Sequence, residues 1–177
     1  MADTIRTKSA LITLLADNTT GAITEQVQRD VLVSVMGCYG EIYCEDNSTA
    51  QTAMITPAIL TCWNTATGFN GLGVGVTPAK ASNYITINNA GDYIIQFNAA
   101  ITNAANGTTF KFYIHQNSTK LSGGTYTKPP NNDVVTVATH RLVTLAVNDN
   151  ISIYVESNTD TKSLTVTDAV LSVRRIG

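Results

Sequence analysis

Charge is scarce in this chain. Lys and Arg number 11 and Asp and Glu 13, so 14% of residues are charged and the formal net charge is -2. Nucleic-acid binding calls for a clustered Lys/Arg surface, and none is present. Apolar residues nevertheless make up 44% of the chain, which excludes a disordered polyelectrolyte. No uninterrupted apolar stretch is long enough to cross a bilayer as a helix, and Met1-Ala2-Asp3-Thr4-Ile5-Arg6 lacks the apolar core of a secretory leader. Cysteine is limited to Cys38, Cys44 and Cys62. An odd count in a chain expected to be made in the cytoplasm favours buried free thiols, with a Cys38–Cys44 disulfide as the alternative. There is no CxxC pair, and both histidines, His115 and His140, lie far from the cysteines, so zinc is not expected.

What the chain has instead is alternation. In Gly91–Ile101, Tyr93, Ile95, Phe97, Ala99 and Ile101 share one parity and thus one face of a strand. Similar runs cover Phe110 to Gln116, Val134 to Val147, Asn150 to Ser157 and Ser163 to Val173, separated by Asn-, Gly- and Thr-rich turns. Short strands punctuated in this way predict a sandwich or barrel. In the last run Leu164 and Val166 have one parity and Leu171 and Val173 the other, so a β-bulge is expected near Thr167 to Ala169.

The first forty residues read differently. Ser9 to Ala16 predicts a short helix, and Thr24 caps a second from Glu25 to about Met36, which Gly37 and Gly40 end. Val27, Val31 and Val35 recur every four residues as an apolar stripe with Leu32 beside it, while Gln26, Arg29 and Asp30 lie off it. At ~1.5 Å per residue this helix is about 18 Å long and needs a docking partner, in its own chain or another. We therefore divide the chain into an N-terminal helical anchoring and trimerisation segment, 1–40, and a β domain, 41–177. Within the latter, Glu41–Cys44 and Ala58–Trp63 are expected strands, and Gly68–Val76 a glycine-rich loop. Its spacing is GxGxG, not the GxGxxG of a phosphate cradle.

No catalytic constellation is legible. His115 and His140 have no nucleophile or carboxylate at a telling spacing, and the sparse carboxylates do not form a glycosidase pair. Asn148-Asp149-Asn150, Asp160 and Asp168 have oxygens that suit calcium, but Asn and Asp also simply form turns, and that reading is preferred. The sequons at Asn47 and Asn117 mean little without secretion. An enzyme is not expected, and no cofactor or metal. Tyr113 and Tyr154 lie on the parity opposite the apolar residues of their runs, which makes them candidate subunit or ligand contacts; a second packed face within the monomer is the competing reading. The turn-rich connection Leu121–Asp133 is a further candidate contact region.

The order of these motifs resembles the C1q/TNF-like jelly roll. Gly91-Asp92-Tyr93 opens a long core strand with Phe97 four residues on. Phe112–Asn117 ends in small polar turn residues, Thr144–Val155 turns through Asn148-Asp149, and Leu164–Val173 closes the sandwich. The expected fold is mainly β, a jelly-roll β-sandwich preceded by a short α-helical segment, and the resemblance implies a compact homotrimer. The segment with Gly21, Ile23, Thr24, Gln26, Arg29 and Asp30 is similar to an N-terminal stretch of tailed-phage structural proteins. Together the two resemblances imply a virion protein assembled in the host cytoplasm: a trimeric capsid decoration (cement) protein on the major capsid protein or another virion protein, without nucleic acid or membrane partners. The alternative is a tail-fibre tip that binds host surface glycan. A cellular C1q-like binding module would require a secretion route.

Overall fold

The alternation in 91–101 becomes the centre of the molecule. In the computed structural model, which describes residues 6, 10, 13, 24–35, 37–102, 108–121, 124–129 and 133–176, Tyr93, Ile95, Phe97, Ala99 and Ile101 are all buried. Their strand, β7 (Gly91–Thr102), follows β1 (Tyr39–Cys44), β2 (Ala50–Ala53), β3 (Ala58–Ile59), β4 (Gly68–Val74), β5 (Val76–Ala79) and β6 (Tyr84–Ile87). After it come β8 (Phe110–Gln116), β9 (Thr119–Lys120), β10 (Thr125–Thr127), β11 (Val135–Leu145), β12 (Asn150–Ser157) and β13 (Lys162–Arg175). One sheet has the order β11-β7-β13-β1-β4, with β2 also on β13; the other runs β10-β8-β12-β6-β5, with β3 on β12 and β9 on β8. All these pairings are antiparallel.

The inner faces of the two sheets meet in a single core. Phe97 of the first sheet packs on Phe112 of the second, centroids 5.7 Å apart, and edge-on to Trp63 at 6.3 Å. Offset and edge-to-face rings of this kind add to the area they bury. The bulge expected in the last run is present, with a register shift between Val166 and Asp168. Leu164 and Val166 are buried before it and Ala169, Leu171 and Val173 after it, so one extra residue keeps both parities facing inward.

Two expectations from the sequence are corrected. Ala58–Trp63 is not one strand: only Ala58 and Ile59 pair, and Cys62–Asn64 forms a 3-10 turn. Cys62 and Trp63 are adjacent and both buried, which a period of two cannot achieve and a tight turn can. Gly68–Val76 is not a loop but β4, a turn at Gly75 (φ +64) and the start of β5. Its glycines serve close approach: a Cβ on Gly73 would lie 2.5 Å from Pro78 Cδ, where β4 at the edge of one sheet passes β5 at the edge of the other.

The expected second helix is α1 (Glu25–Val35). Thr24 caps it, its Oγ1 accepting from Val27 N at 3.3 Å, and Gly37 stops it in the left-handed region at φ +76. The expected helix over Ser9–Ala16 lies outside the described residues except for positions 10 and 13, as do 122, 123 and 130–132 of the Leu121–Asp133 connection. The rest of that connection carries β10.

All three cysteines are buried free thiols. Cys38 and Cys44 bracket β1, so roughly 20 Å of extended chain separates them, against about 5.5 Å between the Cα atoms of a disulfide. The alternative Cys38–Cys44 bridge is thereby excluded. The thiol of Cys44 sits beside that of Cys62; their hydrogen bond draws Cys44 below the ordinary thiol range, and burial pushes Cys62 well above it.

Candidate functional site

Each sheet has an outward face, and the residues on it are chosen by the same parity that fills the core. On the β11-β7-β13-β1-β4 sheet, cross-strand register aligns Leu142, Ile94, Arg174, Tyr39 and Val74 in one row over five strands. This row is apolar apart from Arg174 and open to solvent: Leu142 is 65% exposed, Tyr39 40% and Val74 37%. Behind it run His140, Gln96, Ser172 and Glu41, then Ala138, Asn98, Val170, Tyr43 and Phe69. Tyr43 stacks on Phe69 at 5.2 Å. Small side chains in the middle of this face leave an open groove of about 710 Å³, bordered by Glu41, Tyr43, Glu45 and Asp168 on one side and Thr136 and Ala138 on the other. The exposed Leu142, Tyr39 and Val74 of this face are therefore gathered in one row that crosses five strands, with a polar row directly behind it.

The outward face of the second sheet is chemically different. Here β8 presents Lys111, Tyr113 and His115, and β12 presents Tyr154 and Glu156. The imidazole of His115 stacks on Tyr154 at 3.8 Å and 9°. Lys120 Nζ stands 3.7 Å from the centre of the Tyr113 ring, a cation–π contact. Tyr113 Oη donates to Glu156 Oε1 at 2.7 Å, and Lys111 Nζ pairs with the same oxygen at 3.0 Å. Lys111 also approaches the ring of Tyr126, which is 61% exposed. Burial and the bond to Glu156 push the Tyr113 phenol far above its ordinary range. Burial opposes ionisation of Glu156, but the bonds from Tyr113 and Lys111 outweigh it and hold its carboxyl below the ordinary value.

Tyr113 and Tyr154 thus share one cluster, yet they differ in reach. Tyr113 is buried by its own chain, under Lys120 and beside Gly124, where a Cβ would come within 2.6 Å of the ring; Tyr154 is half-exposed. Val27 and Val31 on α1 are half-buried, Leu32 is 63% exposed, and the side chain of Val35 lies outside the described residues. Asp30, which the sequence places off the apolar stripe, is buried and paired: its carboxylate accepts from Arg6 Nε and Gln26 Nε2, both at 2.8 Å.

His115 and His140 fall on different sheets, so they do not form a joint acid–base pair. The aspartates suggested for calcium are already engaged. Asp149 accepts from Gln116 Nε2, Asn117 Nδ2 and Ala146 N, Asp160 from Ile55 N and Asp168 from Asp46 N. Among the described residues no three His, Cys, Asp or Glu side chains converge as metal ligands. No helix among them is long and apolar enough to cross a membrane.

The sequence reading missed the turn that organises the aromatic cluster. Asn117 and Ser118 both lie in the left-handed region, at φ 50 and φ 65, and close a two-residue hairpin between β8 and β9. Such turns favour Asn at φ > 0, and Asn-Ser between two polar-ended runs was the available sign.

No family model and no curated protein matches this chain in sequence. Solved structures do match in shape. The globular domain of zebrafish complement 1qA superposes with a TM-score of 0.57 at 15% identity, covering 79% of this chain and 98% of that one. Eiger TNF from S. frugiperda gives 0.53 at 7% identity, covering 79% and 94%. Murine APRIL at pH 5.0 gives 0.51 at 11% identity, covering 79% and 99%. The fold is therefore a C1q/TNF-like jelly roll, as the order of the strand motifs implied.

Proposed function

We propose that this chain is a non-enzymatic virion structural protein that assembles as a homotrimer and decorates a phage capsid. The observation that carries this reading is the solvent-exposed row Leu142–Ile94–Arg174–Tyr39–Val74. Five strands about 4.8 Å apart make a face roughly 20 Å wide; the ~800 Å² that each partner gives to a stable interface requires the rows behind this one to be covered with it. The fold likeness and the phage-like N-terminal segment support the same reading, since trimers are what the jelly-roll resemblance implies. α1, capped by Thr24 and tied through Asp30 to Arg6, braces the assembly and meets the capsid subunits through Val27, Val31 and Val35. Three weak contacts presented together lock a shell without any strong single one.

The test has two arms. Light scattering of the purified protein is expected to give three chains per particle. Protein added to stripped or expanded capsids is expected to bind them and raise their melting temperature. A monomer in solution, or capsids left unchanged by a saturating excess, would refute the proposal.

One observation favours a second reading, a fibre tip that binds host glycan. The second sheet's outward face offers the exposed ring of Tyr126 beside Lys111, and the half-exposed Tyr154. Aromatic rings of this kind stack on sugar faces while their hydroxyls bond. Selective binding to host cells that blocks infection, with no effect on capsids, would establish it.

A further inference from the structure

His115 occupies a site that favours its neutral form. Nδ1 lies 3.0 Å from the carbonyl oxygen of Ser118, an acceptor, so Nδ1 carries the proton. Nε2 is then a bare acceptor, and it is buried with no hydrogen-bond partner. Protonation would turn it into a buried N–H donor with nothing to accept it. It would also add a cation to a site that already faces one.

The charged and titratable groups around it offer no relief. On β9, Lys120 stands over the Tyr113 ring. On β12, Tyr154 covers the imidazole face, and Glu156 is engaged by Tyr113 and Lys111 of β8. The Asp149 carboxylate grips Asn117 on the far side of the turn through Asn117 Nδ2 at 2.6 Å. The turn itself is strained, because Ser118 holds φ 65 without being glycine. It is kept in place by Asp149, by the exchange between Asn117 and Asn150, and by His115 through the Ser118 carbonyl.

We propose that His115 makes the Asn117-Ser118 turn and β9 an acid-released latch over the outward face of the second sheet. Neutral, the imidazole donates to Ser118 and supports the ring of Tyr154. Protonated, the imidazole still donates to Ser118 but holds a buried Nε2–H with no acceptor beside Lys120; the ring reaches water only by leaving its pocket, which breaks the Ser118 bond and the Tyr154 stack together, and the turn lifts, taking Lys120 off Tyr113. Burial, the largest cause, holds the His115 pKa below its ordinary value with help from Lys120, although the bond to Ser118 pulls the other way. The latch rests on the described chain alone and stands whether or not the capsid reading does.

The experiment is native-state hydrogen exchange on the full chain, corrected for intrinsic rates. It follows the amide of Leu121, which donates to Ile114 across the hairpin, and that of Asn117, which donates to Asn150 at the start of β12. An imidazole whose pKa is lowered when closed and ordinary when open predicts more opening at about pH 5.5 than at about pH 7.5, with about tenfold as the upper limit. Amides of β7 in the other sheet are expected to stay flat over that range. In His115→Gln, which keeps a donor but cannot titrate, the acid response is expected to vanish. NMR titration of wild-type His115 supplies a readout that does not depend on the variant folding. Corrected exchange that is flat with pH in the wild type, an equal response in His115→Gln, or titration at the ordinary imidazole value would each overturn the proposal.

Discussion

Replacing Leu142 by Asp tests the assembly face directly. Leu142 sits on β11, an edge strand, with its side chain 65% exposed and directed away from the core, so the isolated fold loses almost nothing. If the row it begins is buried between copies, the substitution removes about two-thirds of the ~1.5–3 kcal/mol that a fully buried leucine contributes, roughly 1–2 kcal/mol per contact. It also places an unpaired carboxylate in a dry contact, which costs several kcal/mol more. A closed ring of three repeats the contact three times, so the total is on the order of 10 kcal/mol, or about seven decades in the assembly constant. Size-exclusion chromatography with light scattering at micromolar protein is expected to show the variant as a monomer, with far-UV circular dichroism and the wild-type β signature unchanged. Val147→Asp is the control. Val147 is also exposed, at 51%, but lies after β11 in the turn before β12, and it is expected to remain trimeric. A Leu142→Asp protein that keeps the wild-type mass would refute the reasoning, because an apolar row at the heart of a contact cannot accept a charge at no cost.

Three further outcomes follow, two from the interior and one from the second sheet's outward face. Phe97→Ala empties the point where Trp63 and Phe112 meet; a loss of about 3–5 kcal/mol is expected in denaturant titration, or roughly 10–15 °C in a calorimetric melt. Gly68→Ala places a Cβ 1.8 Å from the Trp63 carbonyl oxygen, a backbone atom that cannot move aside, and should cost about 3 kcal/mol or more by the same titration. Glu156 has a folded pKa depressed by Tyr113 and Lys111, so its contribution is present above its unfolded value near 4.5 and is lost as pH falls through the folded value. Glu156→Gln should therefore melt a few degrees below wild type at neutral pH (about 1 kcal/mol, less at high salt), and the gap should close on acidification below about pH 4.5.

The strands were legible because a half-buried strand writes itself as period two. β7, β8 and β12 begin or end within a residue or so of the expected runs, and even the bulge in β13 showed as a change of parity between Val166 and Leu171. Where that code fails, so did the reading. Cys62 and Trp63 are buried side by side in a turn, and the glycines of 68–76 carry no side chain with which to alternate.

Which apolar residues lie inward on each run, where the helix is capped and that the chain is mainly β were all settled by the sequence, because each depends on neighbours within a few positions. The partners of Asp30 and Asp149, the adjacency of Cys44 to Cys62 and the stacking of His115 on Tyr154 were decided only by tertiary structure. So was the alignment of Leu142, Ile94, Arg174, Tyr39 and Val74 into one row. Those residues lie on strands that are distant in the chain and paired out of order, with β1 beside β13. Alternation states which face a side chain takes, but only the register between strands states whom it meets there.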